Sequence, residues 1–498
     1  MKLLPWKKPQ ANKTNRKLNP KVHRRSNTYL LSLISIVLAL ALSGCGKGDA
    51  ITVEPGEGPE TPVGPGEDDG DDADDVNWSK AVSYVFDASV IPEIHISVPQ
   101  AEWDQLLKYY EADSNTQEYV RCEVRYVKGG SETVLPDSGL RLKGNTSRRW
   151  PGDAKSPQHV HFGLNFHKYF PDEEHTLKGL RKMDLKWFKD DAAYVREIYC
   201  YDLFRRFGVW TAIRDVYARL WIRIGDHSEK YYGVYGMMEH IDKNYLRIRR
   251  KEFGGKDGNL WKCAWGSSLR DVNASMGVDD NRHTYSYELK TNKETGFEAA
   301  KAQLRNFIQG VASKSGADFD SWIASVMDVD LLLRTYAVIV AVGMWDDYWG
   351  NTNNYYLYFT TTDPEKYKVY MIPYDYDNTL GTSHIVSDSG RQDPYNWGSS
   401  DIPLVYKILQ NKTWRARYRS YLRELCLGSG LSSPAVAKDR IRAWQSSISS
   451  FVSNDTGQDM KIEDRPASWG NHSEYRLLGG NASTNWFEVK AATVSSMQ

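Results

Sequence analysis

The chain has 498 residues, with 64 Lys/Arg against 64 Asp/Glu, enough for one large domain or two fused lobes. That balance hides an asymmetry: the first 44 residues hold nine Lys/Arg and no acid, while eleven acids fall between Asp49 and Asp75. The remainder is close to neutral and carries no basic stripe, which argues against a nucleic-acid partner.

The N-terminus reads as an export signal. Lys7, Lys8, Lys13, Arg16, Lys17, Lys21, Arg24 and Arg25 precede an apolar run, Tyr29 to Leu42, too short to span a bilayer comfortably. The run ends in Leu42-Ser43-Gly44-Cys45, which resembles a bacterial lipobox. That resemblance implies a signal segment over 1–45 with Cys45 as the lipidated residue. The chain is then exported and held in the bacterial cell envelope by its lipid. An uncleaved signal anchor is the alternative. Residues 46–77 follow as an acidic, Pro/Gly-rich tether with almost nothing to bury. Four further cysteines, Cys122, Cys200, Cys263 and Cys426, are widely spaced with no CxxC, so a zinc site has no support. Disulfides and buried free thiols both remain open.

The folded part, 78–498, opens with an alternating strand from Ile91 to Pro99, a helix from Glu102 to Tyr110, and strands at Val120–Val127 and Glu132–Lys143. The loop Gly144-Asn145-Thr146-Ser147-Arg148-Arg149 follows the last of these. Such a loop can turn backbone N–H groups toward an anion, and Arg148 can add a bidentate phosphate contact, although most loops of this kind are plain turns. His161–His167 reads as a strand and Gly179–Trp187 as a short apolar segment. Ala192–Phe207 has helical period and stops at Gly208. On it, Glu197 reads as a solvated residue, with an ion-pair partner for an active-site Lys as the alternative. Tyr217–Ile224 and Tyr231–Met238 form a hairpin that Glu239 to Asp242 terminates, and Asn244–Lys251 is a short basic helix.

Beyond Asp242 the pattern is mostly helical: Phe297–Ala312, Ser321–Met344, Leu404–Leu427 and Ser433–Val452. One hairpin, Tyr355–Tyr358 with Tyr367–Ile372, interrupts it. An acidic pair, Asp346-Asp347, precedes the hairpin, and Pro373-Tyr374-Asp375-Tyr376-Asp377 follows it. A hairpin brings its two open ends together, so Asp346 or Asp347 is expected beside Asp375 and Asp377. Asn351, Asn353 and Asn354 stand between them as neutral oxygen donors. Carboxylates clustered with Asn suit a hard cation such as magnesium, which usually arrives with phosphates. The overall expectation is α+β and bilobal, with a sheet-rich N-lobe over about 78–241 and a mainly helical C-lobe over about 242–498.

Several motifs occur in an order that resembles the CotH kinase family, secreted atypical protein kinases named for spore coat protein H. RLKGNTSR is similar to the family's RxxGNSSR loop, and VREIYCYDLFRRFGV to its lead helix. YYGVYGMMEHID is similar to GxYxxxExxD, with Glu239 as the Glu. LWK at Leu260 and ELKTN at Glu288 also fit, and NYYLY with IPYDYDNTLG matches closely. The resemblance covers roughly Phe86 to Val452. It implies a protein-kinase-like fold and transfer of phosphate from ATP, with Mg or Mn, to protein hydroxyls, Ser among them. It implies Asp346 as the catalytic Asp, Asn354 as a metal ligand, Asp375 as the metal-binding Asp, and Asp377 as a second ligand or the residue that orients the turn. Asp347 and Asn351 compete for the first two roles. The layout of Asp, Asn, hairpin and Asp is also that of protein kinases. The family's basic strand after GNSSR is replaced here by KSPQHVHFGLNF. Lys143, Lys155 and Lys262 are therefore the candidates for pairing with phosphates, and a pseudokinase is an alternative.

Two other classes compete. Asp375 to Thr379 fits the DxDxT start of a phosphatase family, which requires strand–helix units after the motif. A surface lipoprotein that binds glycan or protein without catalysis is the other, although most aromatic residues fall inside periodic runs and read as core. A calcium loop at Asp375–Gly381 lacks the correctly placed Gly and the bidentate Glu.

Overall fold

A computed structural model describes residues 80–170, 175–278, 284–294, 296–468, 470 and 472–498. The signal segment 1–45 with Cys45, and the tether 46–77, lie outside the described residues. Alternation of apolar and polar residues closes the first seven strands into a barrel. These are β1 Glu93–Val98, β2 Val120–Lys128, β3 Ser131–Lys143, β4 His161–Asn165, β5 Lys182–Lys186, β6 Asp215–Ile224 and β7 Lys230–Glu239, in the order β1-β2-β3-β4-β5-β7-β6. Parallel pairing of β1 with β6 completes the ring. Ile94, Ile96, Val124, Leu142, Phe162, Met183, Leu185, Leu220 and Met237 are buried in one cluster, so alternate residues such as Asp184 and Lys186 on β5 face away from it. Trp103 and Leu106 of the Gln100–Ala112 helix join that cluster.

The second half is not helical throughout. Five short strands form a second sheet: β8 Asn259–Cys263, β9 Met276–Val278, β10 Tyr287–Leu289, β11 Tyr355–Phe359 and β12 Val369–Pro373, in the order β12-β11-β8-β10-β9. The expected hairpin is thus one edge of a larger sheet. The stretch read as one helix, Ser321–Met344, is two, Gly316–Val326 and Val329–Val342, because the Asp328 side chain caps the second by accepting from Leu331 N–H at 3.0 Å. Leu404–Leu427 likewise divides into Pro403–Ile408 and Lys412–Cys426, where Asn411 caps the second helix. Twelve of the fourteen residues of Val329–Val342 are buried. This helix ends at Gly343, whose φ is 69° and where any side chain would strike the Trp486 ring. All four described cysteines are buried free thiols. No helix among the described residues is long and apolar enough to cross a membrane.

The Arg196–Arg206 helix is buried along most of its length because it is covered on both sides: by β6 of the barrel and by the Val329–Val342 helix. After the Pro434–Ile448 helix the chain returns to the barrel. Tyr231 O–H donates to the Phe451 carbonyl at 2.7 Å, and Asp455 N–H to the Tyr231 carbonyl at 2.8 Å. Arg149 donates to Gln458 at 2.5 Å, Trp187 Nε1–H to Asp459 at 2.7 Å, and Glu463 N–H to the Ala192 carbonyl at 2.8 Å. Residues 451–463 therefore form a brace across the barrel.

Candidate functional site

The hairpin register pairs Tyr355 with Pro373, which sets Asn354 beside Tyr374 at its open end. Asp346 follows the buried helix Val329–Val342 and the turn at Gly343. Its carboxylate accepts from three side-chain amides: Asn351 at 2.6 Å and Asn353 at 3.2 Å on Oδ1, and Asn354 at 2.9 Å on Oδ2. Asp347 does something else. It is buried and caps the short helix Tyr348–Asn351, accepting from Gly350 N–H at 2.8 Å. The backbone around the site is strained, with φ at 54° for Thr352, 53° for Asn354 and 63° for Asp375.

Asp375 and Asp377 meet a lysine that none of the sequence motifs identified. Lys186, at the end of β5, lies 2.7 Å from Glu197 and 3.1 Å from Asp377, and is also paired with Asp375. Oxygens of Glu197, Asp375 and Asp377 come within 4.8 Å of one another. Glu197 is therefore the ion-pair partner rather than a solvated residue, because the barrel and the second half cover both sides of its helix. It and Tyr201, one turn later, also hold the acidic turn by its backbone. Asp375 N–H donates to Tyr201 Oη at 2.9 Å, and Tyr376 N–H to Glu197 Oε1 at 3.2 Å. Tyr376 packs edge-on against Phe204 at 4.9 Å, and Leu380 N–H reaches the Val342 carbonyl at 2.7 Å. The side chains of Asp375 and Asp377 are 36% and 39% exposed against 8% for Glu197, so the two aspartates face the open side.

The other candidate lysines stand elsewhere. Lys143 pairs with Asp184, whose other partner is His240 at 3.0 Å. Lys155 is exposed in a turn where Asp153 accepts its backbone N–H. Lys262, on β8, lies over the Tyr374 ring at 5.5 Å, and its charge helps to lower the pKa of Asp375. Two other expected phosphate or nucleotide contacts are engaged within the fold. Arg148 donates to the backbone carbonyls of Gly144, at 2.6 Å, and Thr116. Glu239 is gripped by Arg214 at 3.0 Å and Arg249 at 2.7 Å.

One lysine does not balance three carboxylates, and the acidities divide accordingly. Burial, with Asp377 and Asp375 nearby, pushes Glu197 up to about 8 despite Lys186. Burial and Asp375 push Asp377 up to about 6. Burial opposes ionisation of Asp375 too, but Lys186 holds it below the usual carboxylate range. Burial, with Asp375 and Asp377, also raises Asp346 to about 6 against the amide hydrogen bonds. Burial raises Asp347 to about 7. Asp377 Oδ1 is buried without a hydrogen-bond partner. An excess of hard oxygen donors, one of them unsatisfied, fits a divalent cation. Among the described residues, the strands after Asp377, Thr382–Ser383 and His472–Ser473, are two residues long and pair only with each other. The context that a DxDxT phosphatase needs is therefore missing.

A seven-strand barrel, a second five-strand sheet and helices define an α+β protein, and Glu197, Asp375 and Asp377 gather around Lys186 at the end of β5. Residues 140–480 match the family model described as CotH kinase protein, and the chain belongs to that family. It is also similar to the inner spore coat protein H of Bacillus subtilis (strain 168), with 27% identity over 293 residues, 58% of this chain and 73% of that protein.

Proposed function

We propose that this chain is a phosphotransferase that moves phosphate from ATP to protein hydroxyls, Ser among them, and that its two halves act as the lobes of a protein-kinase-like fold. The observation that carries the reading is the Lys186–Glu197 pair set against Asp375 and Asp377, with Asp346, raised by burial, near enough for both aspartates to raise it further. Phosphoryl transfer asks for positioning and charge neutralisation more than for covalent chemistry, and these groups offer both.

Asp375 and Asp377, the exposed members of the cluster, would hold magnesium, and Glu197 stands behind them. The metal with ATP would supply neutralisation of the charge on the phosphoryl oxygens. Lys186, whose position Glu197 fixes, is the cation for the phosphates. Asp346 is oriented by three amides, and its Oδ atoms accept the proton of the acceptor hydroxyl. Asp347 shapes the loop. The match to a spore coat protein and the lipobox resemblance support a place at the cell envelope, with Cys45 as the anchor.

Intact mass after incubation with Mg-ATP and a generic acceptor protein tests the reading. The expected result is addition of phosphate that Asp346→Ala abolishes while nucleotide binding persists. Absence of both nucleotide binding and phosphate addition in the wild type would leave a surface-binding protein instead.

A further inference from the structure

The barrel strands β3, β4 and β5 run side by side, and their register sets three nitrogen groups in one row. Lys143 is paired with His161, and Phe162 with Leu185, so His161 lies next to Lys186. Cross-strand partners point to the same face of a sheet. Leu142, Phe162 and Leu185 belong to the barrel core, which leaves Lys143, His161 and Lys186 on the outer face. That face meets the acidic turn, since Lys186 is paired there with Glu197, Asp375 and Asp377.

Geometry fixes the proton of His161. The Trp187 backbone N–H donates to His161 Nδ1 at 3.0 Å. A ring nitrogen that accepts a hydrogen bond carries no proton, so the imidazole is neutral and its one proton is on Nε2. Burial, with Lys186 and Lys143 nearby, pushes the ring well below its ordinary pKa, in agreement. The residue is 5% exposed, and Nε2 has no hydrogen-bond partner among the described residues. With one nitrogen accepting and the other protonated, the ring has no lone pair to spare. It can neither ligate a cation nor act as a base; it can only donate. Gly144, directly after Lys143, keeps room beside that donor. Its φ is 98°, and a side chain there would strike Ser147 Oγ and come within 3.3 Å of His161 Cδ2, the ring atom bonded to Nε2.

We propose that His161 is a phosphate-binding residue, whose Nε2–H donates to a phosphate oxygen of the nucleotide. This rests on the reading of Lys186 as the cation for the phosphates and of Asp375 and Asp377 as the magnesium ligands. Lys143 and Lys186 flank the donor in the row, so the acceptor that suits it is an anionic oxygen. Such a hydrogen bond is charge-assisted and stronger than one between neutral groups. A neutral donor also adds this contact without a further positive charge to compete with Lys186 for its carboxylates. The contact is specific to the phosphate end of the ligand, because adenosine alone brings no anionic oxygen.

The test uses the full chain with magnesium and titrates ATP, inorganic tripolyphosphate and adenosine by calorimetry. Two variants separate the ring nitrogens. His161→Asn keeps an oxygen where Nδ1 stands, able to accept from Trp187 N–H, and has nothing at Nε2. His161→Gln carries an amide N–H at the reach of Nε2 and lacks the nearer acceptor. His161→Asn should weaken ATP and tripolyphosphate about tenfold, the loss of one charge-assisted hydrogen bond, and leave any adenosine binding unaltered. His161→Gln should restore most of that affinity even if it melts lower. The reverse order, with Asn like the wild type and Gln impaired, makes His161 a structural residue and overturns the proposal. So does a wild type that binds neither ATP nor tripolyphosphate. If both variants fail to fold, wild type labelled with 15N-histidine decides. An imidazole with bare Nδ1 and protonated Nε2 should shift its Nε2 resonance on addition of tripolyphosphate and not of adenosine; absence of such a shift overturns the proposal. Phosphate transfer by the wild type, with full ATP affinity in His161→Asn, removes His161 and keeps the phosphotransferase reading. Tripolyphosphate binding that depends on His161, with no phosphate ever transferred, keeps the site and removes that reading.

Discussion

Glu239 and Asp375 both lie at or just beyond the end of a strand and both meet cations inside the fold, yet their surroundings obey opposite rules. Around Glu239, one carboxylate receives two guanidinium groups, Arg214 and Arg249, and the Arg214 backbone N–H; the residue is 2% exposed. Burial is outweighed there by the arginines, and its pKa falls to about 2. Around Asp375, three carboxylates share Lys186, and Glu197 and Asp377 are pushed upward. A buried ion cluster with cations in excess and its hydrogen bonds made is a fastening. A cluster with acid in excess and an open side is arranged for something that arrives from outside.

The largest effect should come from breaking the acid-rich cluster while keeping its shape. Asp375→Asn should lower phosphoryl transfer by roughly a thousandfold or more, measured by steady-state labelling of an acceptor. The same variant should melt near the wild-type temperature when ligand-free, because Glu197, relieved of a neighbouring charge, can ionise and take over the pairing with Lys186. It should lose most of the rise in melting temperature that Mg-ATP gives the wild type, since a ligand stabilises only the state it binds. A variant that keeps both transfer and that rise would make Asp375 a bystander.

The contrast sharpens at Glu239. Glu239→Ala leaves two arginines buried with no carboxylate, at a cost of about 3–5 kcal/mol, read as a shift in the urea midpoint. Loss of stability comparable to that of an exposed substitution would mean that the arginines find other partners. Next in size is the neighbouring pair. Asp346→Ala should abolish transfer with little change in stability, whereas Asp347→Ala should destabilise the loop by about 1 kcal/mol through loss of its cap. Transfer that survives at Asp346→Ala and vanishes at Asp347→Ala reverses the two assignments.

The smallest effect is in pH. Glu197 holds its proton up to about 8 in the folded state, well above its unfolded value near 4.5. The folded protein therefore binds more protons than the unfolded chain between those limits, and the stability from this group falls as pH rises through them. Glu239 works the other way: its folded value is depressed to about 2, so its contribution is present above about 4.5 and is lost as pH falls toward 2. Unfolding midpoints from pH 5 to 8 should decline in buffer alone and decline less with magnesium present. A slope that Glu197→Gln leaves unaltered assigns it to other groups.

How far the sequence reveals all this depends on the distance over which each residue finds its partners. Asp346, the asparagines, Asp375 and Asp377 were legible because one hairpin joins them, and a hairpin's open ends meet by necessity. Lys186 was not, since the strand KMDLK alternates like any half-buried strand. What aims Lys186 at the acidic turn is barrel closure, through β5 pairing with β7. Glu197 reads as solvated because a helix with one apolar stripe is expected to turn its charged residues to water; only two separate halves of the fold, packed against its opposite faces, bury it. The strands β8, β9 and β10 are three to five residues long, too short to carry a period, and β8 meets the hairpin through β11, far along the chain. The barrel alternation and the larger helices were plain; their breaks at Asp328 and Asn411 rest on side-chain caps, which hydrophobic period does not report.

The brace formed by residues 451–463 bears on how the molecule comes into being. Trp187, immediately after Lys186, is bonded to Asp459, and Arg149 to Gln458: partners separated by 272 and 309 positions. A chain released N-terminus first presents its barrel strands long before the segment that secures them. Contacts of such sequence separation form slowly, because loop closure must precede any gain. Maturation of the Lys186 end of the cleft is thus tied to completion of synthesis, and a ribosome-bound or proteolytically shortened chain carries the barrel strands without the clasp.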